Sequence, residues 1–317
     1  MKILGTGSSL PENEVTNDMF SKVLDTSDEW IASRTGIRSR RTANGDTTLS
    51  LAVAASKKAL LAAGKNPEDI SLVICATVST EQLTPQLTCL IARDLGLPER
   101  LLAFDLNGAC TGFIYSLVVA RSVLRPGEYA LIIGSEVLSR LIDYSDRSTA
   151  VLFGDGAGAV VVEHCDSDFE CITGVRGNGD ALRIGSVPPS ENPFAAPHEP
   201  PPHLIHMDGQ EVFRFAVDAM SRSIVDVLEK AGVSLNQLDH IICHQANRRI
   251  IESAARRLKL PIEKFFINIE NRGNTSAASI PIALDELNAT GALKRGDRLV
   301  MSGFGGGLTY GAIYMTW

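Results

Sequence analysis

The chain repeats itself, and that constrains its fold more than any other feature. Ala63-Gly64, a polar link and the run Ile70–Cys75 return as Ala231-Gly232, a polar link and Leu238–Cys243. Gly127-Glu128, then Leu131-Ile132-Ile133 and Gly134, return as Gly296-Asp297, then Leu299-Val300-Met301 and Gly303. Gly158-Ala159-Val160 returns as Gly311-Ala312-Ile313. The matches keep their order and lie about half a chain apart, which marks a duplicated unit. Two copies are too few for a solenoid. The expected form is two similar halves around a pseudo-two-fold axis.

Each unit reads as helix end, link and buried strand. Asp46–Gly64 has helical periodicity through Leu49, Val53 and Leu60. Gln210–Gly232 is a long amphipathic helix carrying Val212, Phe213, Ala216, Val217, Ile224 and Leu228. Leu72–Ala76 and Ala130–Ile133 are continuous apolar runs, the pattern of strands covered on both faces. The fold class is therefore α/β. With 317 residues there is room for two ordinary halves, placed at 1–170 and 171–317. Pro188 to Pro202 holds seven of the fourteen prolines and sits between them. It can be neither a regular helix nor a central strand. It reads as a surface connector or as a loop bordering a substrate opening.

Composition removes whole classes of function. The longest apolar runs are far short of the roughly 20 residues that a membrane helix needs. Met1-Lys2-Ile3-Leu4-Gly5 turns polar too early for a secretory signal, so a cytoplasmic protein with reduced thiols is expected. The net charge of −7 argues against nucleic-acid binding by the whole surface. Six cysteines without a Cys-x-x-Cys pair suit neither a disulfide scaffold nor a zinc ribbon, and no metal is expected.

Four segments could carry chemistry. Cys110 lies between the strand-like Leu101–Leu106 and the helix-like Phe113–Leu124, among small residues. A thiol at a helix N-terminus is favoured as thiolate, although Cys110 alone also reads as a structural cysteine. His244 follows the strand Ile241–Cys243, at a strand end of the kind where α/β sites gather. Alone it reads more readily as a structural histidine. Asn274 follows the expected strand Phe265–Ile269 and a glycine turn, and reads as an amide donor or a helix cap. Gly303-Phe304-Gly305-Gly306-Gly307 follows the strand Leu299–Met301. Its glycines either relieve backbone strain or offer N–H groups to an oxyanion. Together these features supply a nucleophile and donors for a carbonyl oxygen.

Nearly the whole chain resembles β-ketoacyl-acyl-carrier-protein synthase III, the initiating condensing enzyme of bacterial fatty-acid synthesis. The matching motifs include Asp25-Thr26-Ser27-Asp28-Glu29-Trp30-Ile31, Arg34-Thr35-Gly36-Ile37-Arg38 and the Cys110 turn. Others are Phe153-Gly154-Asp155-Gly156-Ala157-Gly158-Ala159, His244-Gln245-Ala246-Asn247, Gly273-Asn274-Thr275-Ser276 and the closing glycine run. The resemblance implies a thiolase fold, with duplicated halves in five alternating layers (αβαβα). It implies Cys110, His244 and Asn274 as the catalytic residues, with the N–H groups of Cys110 and Gly306 as oxyanion hole. Acyl-CoA would be a substrate, held by Trp30, Arg34, Arg147, Met207, Gly209, Phe213 and Asn247, and no cofactor would be tightly bound. Malonyl-acyl-carrier protein would be the second substrate and a homodimer the assembly. Acyl-carrier protein is acidic, and it would dock on Arg214, Gln245, Ala246, Asn247, Arg248, Arg249, Arg256 and Arg257. Where many relatives place an aromatic acyl-pocket cap before Pro85, this chain has Thr84, which implies longer or branched primers. One rival is a secondary-metabolite condensing enzyme of the same fold. Papain-like hydrolases share the order Cys…His…Asn, but their Cys-Gly-Ser-Cys-Trp motif is absent. A non-catalytic acyl-CoA-binding scaffold fits the intact nucleophile and donors poorly.

Overall fold

The computed structural model describes residues 1–185 and 204–317, so Pro188 to Pro202 lies outside the described residues. The strands of the first main sheet are β1 (Lys2–Ser9), β2 (Ile70–Ala76), β3 (Leu102–Leu106), β4 (Tyr129–Glu136) and β5 (Gly156–Glu163). Those of the second are β6 (Phe169–Asn178), β7 (His240–Cys243), β8 (Phe265–Phe266), β9 (Arg298–Gly305) and β10 (Gly307–Thr316). The sheet orders are β1-β5-β4-β2-β3 and β6-β10-β9-β7-β8. In each, the first two pairings are antiparallel and the other two parallel. The repeated sequences fall on equivalent strands: β2 and β7, β4 and β9, β5 and β10.

Seven helices matter for the site: α1 (Asp28–Thr35), α2 (Thr48–Ala63), α3 (Leu87–Leu95), α4 (Gly112–Val123), α5 (Gly209–Ala231), α6 (Arg248–Leu258) and α7 (Ser279–Ala289). Strand alternation sorts side chains between layers. Leu72 and Ile74 of β2 pack inward with Phe113, Leu117, Ile280 and Leu284 of α4 and α7. Val73 and Cys75 face outward onto Leu51, Ala55 and Ile91 of α2 and α3. In the second sheet, Ile242 faces α4 and α7, while Ile241 meets Ala216, Met220 and Ile251 of α5 and α6. The result is five alternating layers with α4 and α7 in the middle, the thiolase arrangement.

One expected strand is shorter than its sequence suggests. Phe265–Ile269 forms only the two-residue β8, and Ile269–Arg272 is a helical turn. The Asn268 N–H donates to Gln245 Oε1 (3.2 Å), and the Asn268 amide donates to Glu286 (2.8 Å). Side chains thus take over the backbone group that would have continued the ladder.

Candidate active site

Cys110, His244 and Asn274 lie far apart in sequence but line one cavity of about 80 Å³. Cys110 sits in the turn Ala109–Thr111 that runs into α4. The β9–β10 turn closes on it. A Cβ on Gly305 would meet the Cys110 nitrogen at 2.8 Å and its Cβ at 3.0 Å, so only glycine allows this approach. Gly306 adjoins Ala109, whose Cβ is 3.7 Å from the position of a Gly306 Cβ. The N–H groups of Cys110 and Gly306 therefore belong to neighbouring turns. Sequence reasoning missed Phe304, whose ring packs edge-on to His244 with centroids 5.1 Å apart. Its alternation with glycines was the available signal.

His244 follows β7, and its N–H donates to Ser302 O (2.8 Å). His244 is 1% exposed, and Nδ1 has no partner among the described residues. Burial pushes its pKa down to about 3, which leaves a neutral imidazole at physiological pH. Burial also pushes the Cys110 thiol up to about 12, against the Ser276 hydroxyl, which favours the thiolate. The helix-end stabilisation expected from the sequence is thus outweighed by burial. A thiol and a neutral imidazole face the cavity, not an ion pair.

The Phe153-Gly154 motif clamps the Asn274 turn. Asn274 N–H donates to Leu152 O (2.9 Å), and Gly154 N–H donates to Asn274 O (3.0 Å). Asn274 Oδ1 accepts from Ser276 N–H (2.9 Å), a turn contact two residues on rather than a helix cap, because the following helical turn is flanked by Thr275. The amide is thereby oriented, and Nδ2 is left to donate.

Trp30 stands in the first turn of α1, where Ser27 caps its N–H (3.1 Å). The guanidinium carbons of Arg34 and Arg147 both lie 4.9 Å from its ring centroid. This joins an aromatic face to two positive charges. Met207, Gly209, Phe213 and Asn247 line the same cavity as Cys110. Met207 pairs with Leu182 across a short antiparallel ladder, which fixes its position. Asn247 caps α6 through Arg249 N–H (2.9 Å) and donates to Arg34 O (3.0 Å), tying α6 to α1. Gly36 (φ 82°) ends α1, where a Cβ would meet the Arg248 Cβ at 2.5 Å.

Arg214, Arg248, Arg249, Arg256 and Arg257 are exposed, with Ala246 and Asn247 half-buried beside them. Arg248 pairs with Glu252 and Arg257 with Asp218. Among the described residues, Arg214, Arg249 and Arg256 make no ion pair. Arg249 lies over the Phe213 ring at 6.0 Å, at the cavity rim. Gln245 departs from the docking expectation, because its side chain is buried and its amide is fully engaged. Nε2 donates to Cys243 O and Phe266 O, while Oε1 accepts from Asn268. It shapes the turn after His244 and presents nothing to a partner. Thr84 is exposed, outside the Cys110 cavity of its own chain.

Comparison with known proteins places this geometry. A family model for 3-oxoacyl-(acyl-carrier-protein) synthase III matches residues 104–178, and one for its C-terminal part matches 228–317. The chain is 45% identical to a β-ketoacyl-(acyl-carrier-protein) synthase III of Clostridium acetobutylicum, covering 100% of this chain and 98% of that one. It superposes on the crystal structure of 3-oxoacyl-(acyl-carrier-protein) synthase III from Aquifex aeolicus VF5 with a TM-score of 0.91 and 42% identity, covering 100% and 99% of the two chains. It also superposes on the priming β-ketosynthase of the R1128 polyketide pathway, with a TM-score of 0.90 and 37% identity over 99% and 95%. Fold and cavity thus define a thiolase-fold acyltransferase of the condensing class. The chain belongs to the β-ketoacyl-(acyl-carrier-protein) synthase III family, the condensing enzymes that initiate fatty-acid synthesis.

Proposed function

We propose that this enzyme condenses a short acyl group from acyl-CoA with malonyl-acyl-carrier protein, giving 3-oxoacyl-acyl-carrier protein, CoA and CO2. The observation that carries this is the single cavity lined by Cys110, His244 and Asn274. The Cys110 sulfur attacks the acyl carbonyl, and CoA leaves. The malonyl thioester then enters beside His244 and Asn274. Loss of CO2 leaves an electron pair that spreads onto the thioester oxygen. A neutral imidazole and the Asn274 amide suit that enolate oxygen as hydrogen-bond donors. The enolate carbon attacks the acyl-Cys110 carbonyl, the N–H groups of Cys110 and Gly306 hold the oxyanion, and the sulfur is expelled. The domain reading of 1–170 and 171–317 divides this machinery. The first half supplies the nucleophile and one oxyanion N–H, the second His244, Asn274 and the Gly306 N–H.

Trp30, Arg34 and Arg147 suit the adenine and phosphates of CoA, and the cavity walls suit its pantetheine arm. The substrates supply all the chemistry, so no bound cofactor is invoked. A cytoplasmic homodimer is part of the same proposal. Among the described residues no helix is long and apolar enough to cross a membrane. The test is incubation with acetyl-CoA followed by intact mass, then addition of malonyl-acyl-carrier protein. An acyl adduct that is consumed as 3-oxoacyl product appears supports the proposal. Product without any adduct would overturn it.

Two further outcomes are expected. Arg249→Glu reverses charge on the exposed face of α6 and should raise KM for malonyl-acyl-carrier protein on the order of tenfold. Acylation by acyl-CoA should change far less, and an equal loss in both half-reactions would remove the docking assignment. Thr84, reaching the pocket across the dimer, should leave room for primers beyond acetyl. Rates with acetyl-, isobutyryl- and octanoyl-CoA test this, and Thr84→Phe should cut the isobutyryl-to-acetyl ratio by about tenfold or more. A sharp acetyl-only profile in the natural chain would sink the idea. The related polyketide priming enzyme makes the same panel a test of the secondary-metabolite alternative.

A further inference from the structure

Two threonine hydroxyls meet where the Cys110 turn and the glycine turn after β9 come together, and the mechanism above gives them no role. Thr111 and Thr309 lie 198 residues apart in sequence, one in each half, and their Oγ1 atoms are 2.9 Å apart. Thr111 is 0% exposed and Thr309 half-buried. Thr111 Oγ1 donates to Gly108 O (2.6 Å), and Thr111 N–H closes its turn on the same oxygen (3.0 Å). Thr309 Oγ1 donates to Gly306 O (3.0 Å). A hydroxyl has one hydrogen to give. That of Thr111 goes to Gly108 O, so Thr309 divides its own between Thr111 Oγ1 and Gly306 O.

Both turns need such a hold. Ala109 is in the left-handed conformation (φ 46°), which strains a residue with a Cβ. Gly305-Gly306-Gly307 has no side chain to limit its backbone. In each turn the hydroxyl grips the peptide adjoining the one that offers an N–H to the oxyanion. Gly108 O and the Cys110 N–H are separated by the Ala109 Cα alone. Gly306 O and the Gly306 N–H lie on either side of one Cα.

We propose that Thr111 and Thr309 form a staple between the two halves, which fixes the spacing of the Cys110 and Gly306 N–H groups before an oxyanion forms between them. Donors set in place beforehand need no reorganisation as charge develops. Both threonines act through backbone groups and are positioning residues. His244 and Asn274 stand outside the staple, since their turns are held by Ser302, Leu152 and Gly154. The staple therefore bears on acyl transfer and condensation, and leaves decarboxylation alone.

The inference rests on Cys110 as acyl acceptor with the two N–H groups as its oxyanion hole. Thr111→Val and Thr309→Val keep the side-chain shape and remove the hydroxyl. Acylation by saturating acyl-CoA is timed by quenched flow and intact mass, beside CO2 release from malonyl-acyl-carrier protein. Each variant should acylate on the order of tenfold more slowly, a smaller loss than that of a whole donor. CO2 release and the half-saturating acyl-CoA concentration should stay unchanged. The double variant should be no slower than the slower single, because either change breaks the same link. Thr111→Ser and Thr309→Ser should restore the rate. Equal losses in acylation and CO2 release would mean a general loosening of the fold and overturn the proposal. So would losses that multiply in the double variant, or acylation at the natural rate. Thr309 also lines a cavity of about 630 Å³ beside Cys110. A variant that changed only the preference among acetyl-, isobutyryl- and octanoyl-CoA would make it a pocket wall and remove the staple. If Thr111→Val does not fold, the Val and Ser variants of the half-buried Thr309 decide the matter. A natural chain that formed no adduct with any CoA thioester would remove the acyl-acceptor reading itself, whereas fast acylation of the Val variants removes the staple alone.

Discussion

Cys110→Ala should carry no acyl mass after incubation with any acyl-CoA, and its condensation rate should fall by roughly 10⁴-fold or more. The substitution removes one sulfur atom from a site packed by Gly305 and the start of α4, so the fold should survive at a cost of about 1 kcal/mol. His244 and Asn274 keep their positions, because their anchors lie elsewhere. His244 hangs on Ser302, and Asn274 on Leu152 and Gly154. Decarboxylation of malonyl-acyl-carrier protein should therefore persist while transfer from acyl-CoA disappears. Mass spectrometry reads the adduct, and release of CO2 reads the decarboxylation. An acyl adduct retained in the variant would move the nucleophile to another residue. Cys89, the exposed cysteine, would be the next to test.

The duplication was legible because both halves kept the marks of buried strands. The runs around Leu72–Ala76 and Ile241–Cys243 face helices on both sides, so neither could accept polar alternation. The strand at Phe265 was overread for a physical reason. Its apolar run continues past the ladder, but Gln245, a long way off in sequence, takes the next backbone N–H. Cys110 and His244 stood out because each follows an apolar strand, and Asn274 because it follows a glycine turn ahead of small residues. Ser276 and Glu136 were not singled out. A serine within Asn-Thr-Ser-Ala reads as turn chemistry, and a lone acid after an apolar strand reads as the strand's solvent end. Only the folded chain buries Glu136 at the end of β4, where burial raises its carboxyl to about 7. Gln245 erred in the opposite direction, since adjacency to His244 says nothing about which way its amide turns.

His244→Ala and Asn274→Ala should give the mirror image of the Cys110 variant. Each should still accept an acyl group from acyl-CoA, and each should lose on the order of 10²–10³ in decarboxylation, the cost of one oxyanion-type donor. The double variant should lose less than the product of the two, because both donors serve one oxygen. Burial sets the pH behaviour. With His244 held at about 3, the imidazole is neutral throughout pH 5–8, so decarboxylation should show no inflection near 6.5. An inflection there that vanishes in His244→Ala would mean a charged imidazole at the site. Stability should follow the same shift. The folded pKa of about 3 lies below the ordinary value of 6.5, so between the two the unfolded chain binds the extra proton. The neutral histidine's contribution is complete above 6.5 and lost as pH falls toward 3. His244→Gln removes that proton site and should flatten the acid side of the melting-temperature profile. If the natural chain and the variant lose stability in parallel below pH 6, another buried group governs the acid response, and the neutral His244 must be established from the decarboxylation profile alone.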